Sequence, residues 1–292
     1  MAVTRELLEE EGYSPGAQVR LVLAQELVTE EYHARSFANA ADRTLLAGGK
    51  LTALIRESTL DYVSRRLIVG AHFVLAAGGW AFDDPAFTVA LRRYLRERTE
   101  LPKTTRERLL PLLREAARLR GEKLGRKAKR EFREKERTAG RTKCYLCGRE
   151  MEFELSEASS ETTNAETERP RLSVPDLYAT VEHVWPRRLG GMNHDGNLLL
   201  ACDQCNGTKD DALTGSDFHY ERFVRAEPAS MTVEDEMMAW FHAGLQCARC
   251  ERPPVRVGEL FLVRDDDGDC WHIHNVSAYC SLHLPADRDQ PV

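Results

Sequence analysis

The sequence predicts an α+β protein in which an N-terminal helical domain precedes two smaller domains that contain short strands. Three observations lead to this prediction. Apolar residues recur at helical spacing through roughly the first 140 residues. Segments with alternating apolar and polar residues follow, and all eight cysteines lie at or after position 144. The change of pattern near residue 144 therefore marks the main boundary in the chain.

Helix start signals divide the N-terminal part into successive helices. Ser14-Pro15 begins the first, because proline fits the first helical turn, and Leu51 to Leu75 continues the periodic pattern. Asp84-Pro85 begins a third helix with the sequence PAFTVALRRYLRER. Thr104-Thr105 is predicted to cap a fourth before a basic run. No catalytic spacing occurs here, so this domain is expected to dock a protein partner or DNA.

The charge of the chain is distributed unevenly. The 292 residues are 42% hydrophobic, which excludes a wholly disordered chain, and the net charge of −6 argues against a simple basic nucleic-acid binder. However, residues 101–143 carry 16 basic and 6 acidic side chains, whereas residues 144–292 carry 13 basic and 27 acidic ones. The basic segment is predicted to contact phosphates, the alternative being a solvated helix with i,i+4 ion pairs. The candidate contact residues are Lys127, Lys129 and Arg130.

No stretch predicts a membrane span or a secretory signal. The longest apolar run, Leu67 to Phe82, has 16 residues. A bilayer requires about 20. The first residues, MAVTRELLEEEGY, form a charged segment unlike a signal peptide. We therefore expect a reducing, cytoplasmic location without a membrane partner, where cysteines act as metal ligands more often than they form disulfides.

Six of the cysteines form three Cys-x-x-Cys pairs, the spacing typical of zinc ligands. The first two pairs are predicted to bind one structural Zn²⁺ together, and their residues are Cys144, Cys147, Cys202 and Cys205.

The C-terminal segment predicts a second structural Zn²⁺ site. Its favoured ligands are Cys247, Cys250, Cys280 and His283. Cys270, His272 and His274 compete for these roles, and buried free thiols are the other alternative. The segment GELFLVRDDDGDCWHIHNV is predicted to form a hairpin that turns at DDDGD.

Residues 182–211 read EHVWPRRLGGMNHDGNLLLACDQCNGTKDD. Asn197 follows His183 by 14 positions, Asn206 follows Asn197 by 9, and Lys209 comes three later. This pattern, with the first four cysteines around it, resembles the HNH endonuclease family in the variant whose third signature residue is Asn. The resemblance covers about residues 144–213.

The resemblance implies a ββα-metal nuclease fold that acts on DNA. His183 takes the position of the general base, and Asn197 the position that holds the loop and orients the histidine. Glu182 and Asn206 take the positions of the ligands of a catalytic Mg²⁺ or Mn²⁺, although the family usually has Asp where Glu182 stands. Lys209 is a candidate phosphate contact. These roles are chemically reasonable, because a neutral imidazole can take a proton from water and a hard cation can neutralise phosphate charge.

The resulting domain scheme has four segments. Residues 1–100 form the helical domain, 101–143 the basic helical linker, 144–228 the nuclease domain with its zinc frame, and 229–292 the zinc-binding β module. Within the nuclease domain, MEFEL and LYATVEHV predict strands, and the acidic, Ser/Thr-rich residues 156–170 predict a mobile insertion.

Other functions fit the same residues. One is a zinc-stabilised module that binds nucleic acid or protein through a non-catalytic nuclease fold, and another is a ribonuclease. An enzyme of this layout would suit bacterial antiviral defence, restriction or a mobile element.

Overall fold

A computed structural model describes residues 14–29, 50–120, 122–154, 174–212, 224–225, 231–266 and 271–285. The predicted insertion at 156–170 and Cys270 lie outside these residues. The described chain divides into two compact units. The helical unit contains the described residues up to 123 together with 183–197, and the cysteine unit contains the described residues of 124–182 and 198–285.

The helical unit is built around a central helix that packs against the other three long helices. That helix buries a row of leucines and alanines spaced along one face, including Leu109, Leu113 and Ala116. The four helices are α1 (Pro15–Thr29), α2 (Lys50–Gly78), α3 (Pro85–Arg98) and the central helix α4 (Lys103–Leu119).

The start of α3 confirms its sequence signal, whereas the predicted cap of α4 is wrong. Asp84 accepts a hydrogen bond from the backbone N–H of Ala86 at 2.8 Å, and Pro85 occupies the first turn. Helix α4 begins at Lys103 without a side-chain cap. Thr105 instead lies buried within the helix and donates a hydrogen bond to Glu26 of α1. The Thr105 hydroxyl, which the sequence assigned to capping, thus links α4 to α1 instead.

The helical unit also includes the loop of residues 183–197, which the sequence assigned to the nuclease domain. The loop lies very close to the start of α1, because a Cβ built on Gly16 would stand 1.7 Å from the carbonyl oxygen of Leu189. The backbone N–H of Met192 donates to the Ser14 hydroxyl at 3.1 Å. Arg120 Nη1 donates to the carbonyl oxygen of Arg188 at 2.8 Å. Helices of this unit therefore support the loop directly.

The cysteine unit combines short helices with two-stranded sheets. Within the described residues the strand pairs are β1–β2, β3–β5 and β4–β6, and the last two are antiparallel. The helices are α5 (Arg126–Thr138), α6 (Val174–Leu177), α7 (Asp203–Lys209), α8 (Val233–His242) and α9 (Pro254–Val257). The strands are β1 (Ala179–His183), β2 (Leu198–Cys202), β3 (Val224–Arg225), β4 (Leu260–Arg264), β5 (Trp271–His272) and β6 (Val276–Cys280).

Strand β1 confirms the prediction for LYATVEHV, but two other strand predictions are wrong. The described residues of the MEFEL segment make one isolated bridge, between Glu152 and Tyr178, instead of a strand. Strand β4 does not pair with the residues directly after DDDGD, part of which lies outside the described residues; it pairs with β6 from Leu260↔Cys280 to Arg264↔Val276. Alternation along a strand shows which face is buried but not which strand lies beside it.

One hydrophobic core contains residues of the predicted nuclease domain and of the predicted C-terminal module. Gly148 has a φ of +73°, and a Cβ there would stand 2.4 Å from the carbonyl oxygen of Gly258. Nearby, Arg149 and Glu259 form an ion pair at 2.7 Å. Glycine is therefore required both for the left-handed backbone and for the close approach. In the described part of the chain, no helix combines the length and apolar character that a membrane span needs.

Candidate functional site: two metal centres and a strand–loop–helix motif

Four cysteines from two distant stretches form the first candidate metal centre. Cys144 and Cys147 lie in a tight turn, where the N–H of Cys144 donates to the carbonyl oxygen of Arg149 at 2.9 Å. Cys202 ends β2 and Cys205 lies in α7. The four buried Sγ atoms lie within 4.8 Å of one another. Thiolates about 2.3 Å from one zinc ion stand about 3.8 Å apart, so this predicted set could hold structural zinc.

Three thiols of this centre, those of Cys144, Cys147 and Cys205, differ in acidity. Burial opposes ionisation of Cys144, but hydrogen bonds from the Cys147, Cys202 and Cys205 thiols hold its pKa well below the usual thiol value. The hydrogen bond to Cys144 raises the pKa of Cys147, and hydrogen bonds to its three neighbours raise the pKa of Cys205. Because a buried thiolate is unfavourable without a counter-charge, this arrangement favours a bound cation.

The second candidate metal centre has the predicted three cysteines and one histidine. Cys247 and Cys250 lie in a turn, where the N–H of Glu251 donates to the carbonyl oxygen of Cys247 at 2.8 Å. Cys280 ends β6, and Nδ1 of His283 lies 3.2 Å from its Sγ and 3.6 Å from that of Cys247. The four ligand atoms lie within 4.8 Å of one another, so this set could also hold zinc.

Ionisation in the second centre follows the same pattern. Burial opposes ionisation of Cys247, but hydrogen bonds from the backbone N–H groups of Cys280 and Cys250 lower its pKa to about 6. Burial and the hydrogen bond to Cys247 raise the pKa of Cys280. Cys247 is thus more acidic than Cys280, and its thiolate is a ready ligand for a metal ion.

The competing histidines do not belong to this group. Strand β5 ends at His272, and the N–H of His274 donates to Nδ1 of His272 at 3.3 Å. The ring of His274 instead lies 5.5 Å from that of His242. Cys270 lies outside the described residues. The close grouping of Cys280 and His283 with the Cys247 pair favours the predicted ligand set.

Asn197 joins the two ends of the loop between β1 and β2. Its Oδ1 accepts a hydrogen bond from the Trp185 N–H at 2.8 Å. Its Nδ2 donates to the carbonyl oxygens of Trp185 at 3.1 Å and Met192 at 3.0 Å. The side-chain amide therefore substitutes for backbone partners that the loop does not have. Asn197 thus connects the beginning, the middle and the end of this loop.

His183, the candidate general base, is half-buried at the start of the same loop. Its Nε2 lies 2.8 Å from Oδ1 of Asn193. An amide carbonyl oxygen only accepts hydrogen bonds, so this contact requires a proton on Nε2 of His183. Sequence reasoning missed Asn193, because its run, MNHDGN, contains several polar turn residues that the sequence does not distinguish.

The candidate metal ligands Glu182 and Asn206 lie on adjacent contacts between β1 and α7. Nδ2 of Asn206 donates to the Thr180 hydroxyl at 2.9 Å, and Nζ of Lys209 donates to Oε1 of Glu182 at 2.6 Å. Residues two apart share one face of a strand, and residues three apart share one face of a helix. The two contacts therefore lie next to each other between β1 and α7. Thr180 has no sequence signal of its own.

Lys209 does not have the exposed position that a phosphate contact requires. The residue is 2% exposed, and Glu182 is 7% exposed, so their ion pair is buried. The Tyr145 hydroxyl is also buried and has no hydrogen-bond partner among the described residues. Burial raises the pKa of Tyr145, and the negative charge of Glu182 raises it further. The predicted contact of Lys209 with a nucleic-acid phosphate is thus not available in this arrangement.

The donor set fits a hard divalent cation in its chemistry. Mg²⁺ and Mn²⁺ accept carboxylate and amide oxygens and keep several water ligands, so Glu182 and Asn206 could supply two positions. The Nδ2 of Asn206 is bound to Thr180, and its Oδ1 is the atom that a cation would use. Lys209 competes with such a cation for Glu182.

Helix α5 carries the predicted nucleic-acid contacts on its solvent face. Lys127, Lys129 and Arg130 are all exposed. Lys127 lies 3.8 Å from Glu131, and within the described residues Lys129 and Arg130 form no ion pair. Phe132 is buried and anchors the helix to the core. The basic side chains therefore remain accessible to an anionic partner.

Comparisons of the chain with protein-family models, with curated proteins and with solved structures find no match. A functional assignment therefore depends on the residues and their contacts. The metal centres and the loop–helix motif are the features with defined chemistry.

Proposed function

We propose that the chain is a metal-dependent endonuclease of the HNH type that hydrolyses DNA phosphodiester bonds. The observation that supports this most is the Asn197 contact, which closes the loop between β1 and β2. The same strand ends in Glu182-His183, and Asn206 lies on the helix after β2. The four candidate residues thus lie at the end of a strand, in the loop that follows it and on the next helix, which is the order that the proposal requires.

In this proposal His183 is the general base. The Asn193 carbonyl accepts the Nε2 proton and keeps the lone pair on Nδ1. That nitrogen takes a proton from the attacking water. Asn197 fixes the loop so that the imidazole keeps its orientation while it accepts the proton.

Glu182 and Asn206 would hold Mg²⁺ or Mn²⁺. The ion, when bound, supplies positive charge to the scissile phosphate and the departing oxygen. Glu182 and His183 are consecutive residues, so one peptide bond joins the metal-binding group to the base. The two sets of cysteine ligands would hold zinc, and their contribution is to the folding of the unit and not to the reaction.

DNA is the proposed substrate, and the exposed residues Lys127, Lys129 and Arg130 would bind its backbone. We also propose that the N-terminal helices bind a protein partner, with no particular residue assigned to that contact. A ribonuclease would use the same catalytic groups. Comparing the cleavage of DNA and RNA substrates distinguishes the two activities.

The buried Glu182–Lys209 pair favours a second candidate function. A carboxylate already neutralised by a buried ammonium group has less affinity for a cation. In that case the chain would be a zinc-stabilised binding module with a non-catalytic nuclease fold. The two candidates differ in whether the chain binds Mn²⁺ through Glu182 and cuts DNA.

The direct test is cleavage of supercoiled plasmid by the zinc-loaded chain in Mg²⁺ or Mn²⁺. We expect wild-type cleavage, and a loss of at least about 100-fold in His183→Ala, the usual range for a general base. The matched control is His194→Ala, which removes an exposed histidine of the same loop and should cut at the wild-type rate. Equal cutting by His183→Ala and wild type, or none by wild type with either metal, would contradict the proposal.

A further inference from the structure

The Glu182–Lys209 ion pair is unusual for its burial. Nζ of Lys209 lies 2.6 Å from Oε1 of Glu182, and the two side chains are 1% and 9% exposed. Charged side chains of this kind are almost never fully buried unless they are paired. Lys209 therefore requires a negative partner in this position, and Glu182 is that partner.

A divalent cation at Glu182 would conflict with this pair. Mg²⁺ binds oxygen at about 2.0–2.1 Å, so an ion on Oε1 would contend with the ammonium group for the same lone pairs. An ion on the other carboxylate oxygen would still stand a few ångströms from a buried positive charge. In either position the cation and Lys209 repel each other at low solvent screening.

The backbone beside Lys209 is strained. Asp210 ends α7 with φ 42° and ψ −112°, a conformation that residues with a side chain rarely adopt. The N–H of Asp210 still donates to the carbonyl oxygen of Asn206 at 3.0 Å. Asp210 therefore keeps a helical hydrogen bond although its backbone angles are strained. Strain of this kind persists only where the surrounding structure enforces it, and it clusters at active sites, ligand-binding segments and switch regions.

We propose that Lys209 is a positioning residue that holds Glu182 in the metal-free protein and leaves it when a divalent cation binds. The inference rests on the proposed function, because it takes Glu182 as a metal ligand. Its consequence is that the apparent metal affinity is set by competition. The apparent affinity is the intrinsic affinity multiplied by the fraction of molecules in which Lys209 has released the carboxylate. The released ammonium group then becomes available to a phosphate, the role that the sequence assigns to Lys209.

The test measures Mn²⁺ affinity from the electron paramagnetic resonance signal of free Mn²⁺, with the full zinc-loaded chain. Lys209→Met and Lys209→Gln remove the competing charge and should bind Mn²⁺ at least about tenfold more tightly than wild type. Lys209→Arg keeps the charge and should retain the weak wild-type affinity. Lys103→Met is the matched control, since it removes one exposed lysine and should change nothing.

Each outcome decides the proposal. Tighter binding in both neutral variants, lost again on addition of Glu182→Gln, supports it. Unchanged affinity in the neutral variants, with binding still abolished by Glu182→Gln, overturns the role of Lys209 and leaves the metal site intact. Binding that Glu182→Gln does not affect overturns the role of Lys209 and the metal site together.

Folding is monitored by the melting temperature, because a buried Glu182 without its partner is unfavourable. If Lys209→Met fails to fold, Lys209→Gln decides the result, since its amide can still donate to the carboxylate. In either variant Mn²⁺ should raise the melting temperature more than in wild type, and an equal rise would count against the proposal.

Discussion

At the residue scale, the candidate site shows which polar side chains a sequence can identify. His183 and Asn197 stand at spacings that mark a known pattern, and their contacts fit the roles implied for them. Asn193 and Thr180 bond to the signature residues but have no spacing of their own. Their roles arise from tertiary contacts, which no local pattern records.

The burial of Lys209 is a second residue-scale result that the sequence did not predict. A lysine three positions after Asn206 on a short helix is normally solvent-exposed. Only the packing of α7 against β1 brings its ammonium group to Glu182. The sequence therefore indicates the charge and its spacing, but it does not indicate the partner of the charge.

Gly16 offers a residue-scale prediction about the loop that holds His183. A Cβ there would stand 1.7 Å from the carbonyl oxygen of Leu189 and 2.5 Å from Nε1 of Trp185. Gly16→Ala should therefore push the loop away and destabilise the helical unit by about 1–3 kcal/mol. Chemical denaturation measures the loss, and plasmid cleavage should fall as well.

The matched control for this prediction is Gly125→Ala. Gly125 has an ordinary φ of −65°, and no atom lies within 4 Å of the position that a Cβ would take, so alanine fits there. Wild-type stability of Gly16→Ala would show that the loop does not depend on the start of α1.

At the element scale, helices were predicted better than strands. Helix α3 begins at the predicted Asp84-Pro85 signal, because a cap and its first turn are local. The partner of β4 was predicted wrongly, because β6 is separated from it in sequence and both candidate strands alternate. Pairing over five positions, as between β4 and β6, satisfies more backbone groups than the two positions of β5.

Helix α5 allows an element-scale prediction about nucleic acid. Neutralising Lys127, Lys129 and Arg130 to glutamine should weaken DNA binding and reduce the salt dependence by about 0.9 per lost phosphate contact. Since all three side chains are exposed, stability should change by less than about 0.5 kcal/mol. Binding isotherms across several salt concentrations supply the measurement.

The control for the α5 variant carries the same change in net charge on α3. It neutralises Arg93, Arg96 and Arg98, which are also exposed. DNA binding that falls equally in both triple variants would indicate a general charge effect. Unchanged binding in the α5 variant would show that α5 is a solvated helix that does not contact DNA.

At the scale of the whole molecule, the cysteine spacing was the most informative feature of the sequence. Both predicted ligand sets come together within 4.8 Å, although 54 residues separate the two pairs of the first set. Metal coordination demands few residue types at fixed spacing, which makes it readable from sequence. The boundaries of the two compact units could not be predicted from the sequence. Residues 183–197 belong to the helical unit because they contact residues that are distant in sequence, such as Ser14.

Zinc removal tests this scale directly. The chain should contain two zinc ions, and Cys147→Ser or Cys250→Ser should each reduce the content to one, measured by elemental analysis of the purified protein. A strong chelator should unfold the cysteine unit, because zinc binding contributes to its folding free energy.

Cys270→Ser is the control for the zinc prediction, since Cys280 and His283 complete the second set without it. It should retain both ions. Loss of one ion in Cys270→Ser, or full zinc content in Cys250→Ser, would require a different ligand set.

The central claim, that His183 is the base of a metal-dependent nuclease, is tested most directly by chemical rescue. Plasmid nicking by His183→Ala is measured in Mn²⁺ with increasing imidazole, beside wild type. We predict that imidazole restores nicking in a saturable manner that requires its neutral form, while wild type is unaffected. No rescue in a folded, DNA-binding His183→Ala protein, or nicking that never depended on His183, would contradict the account.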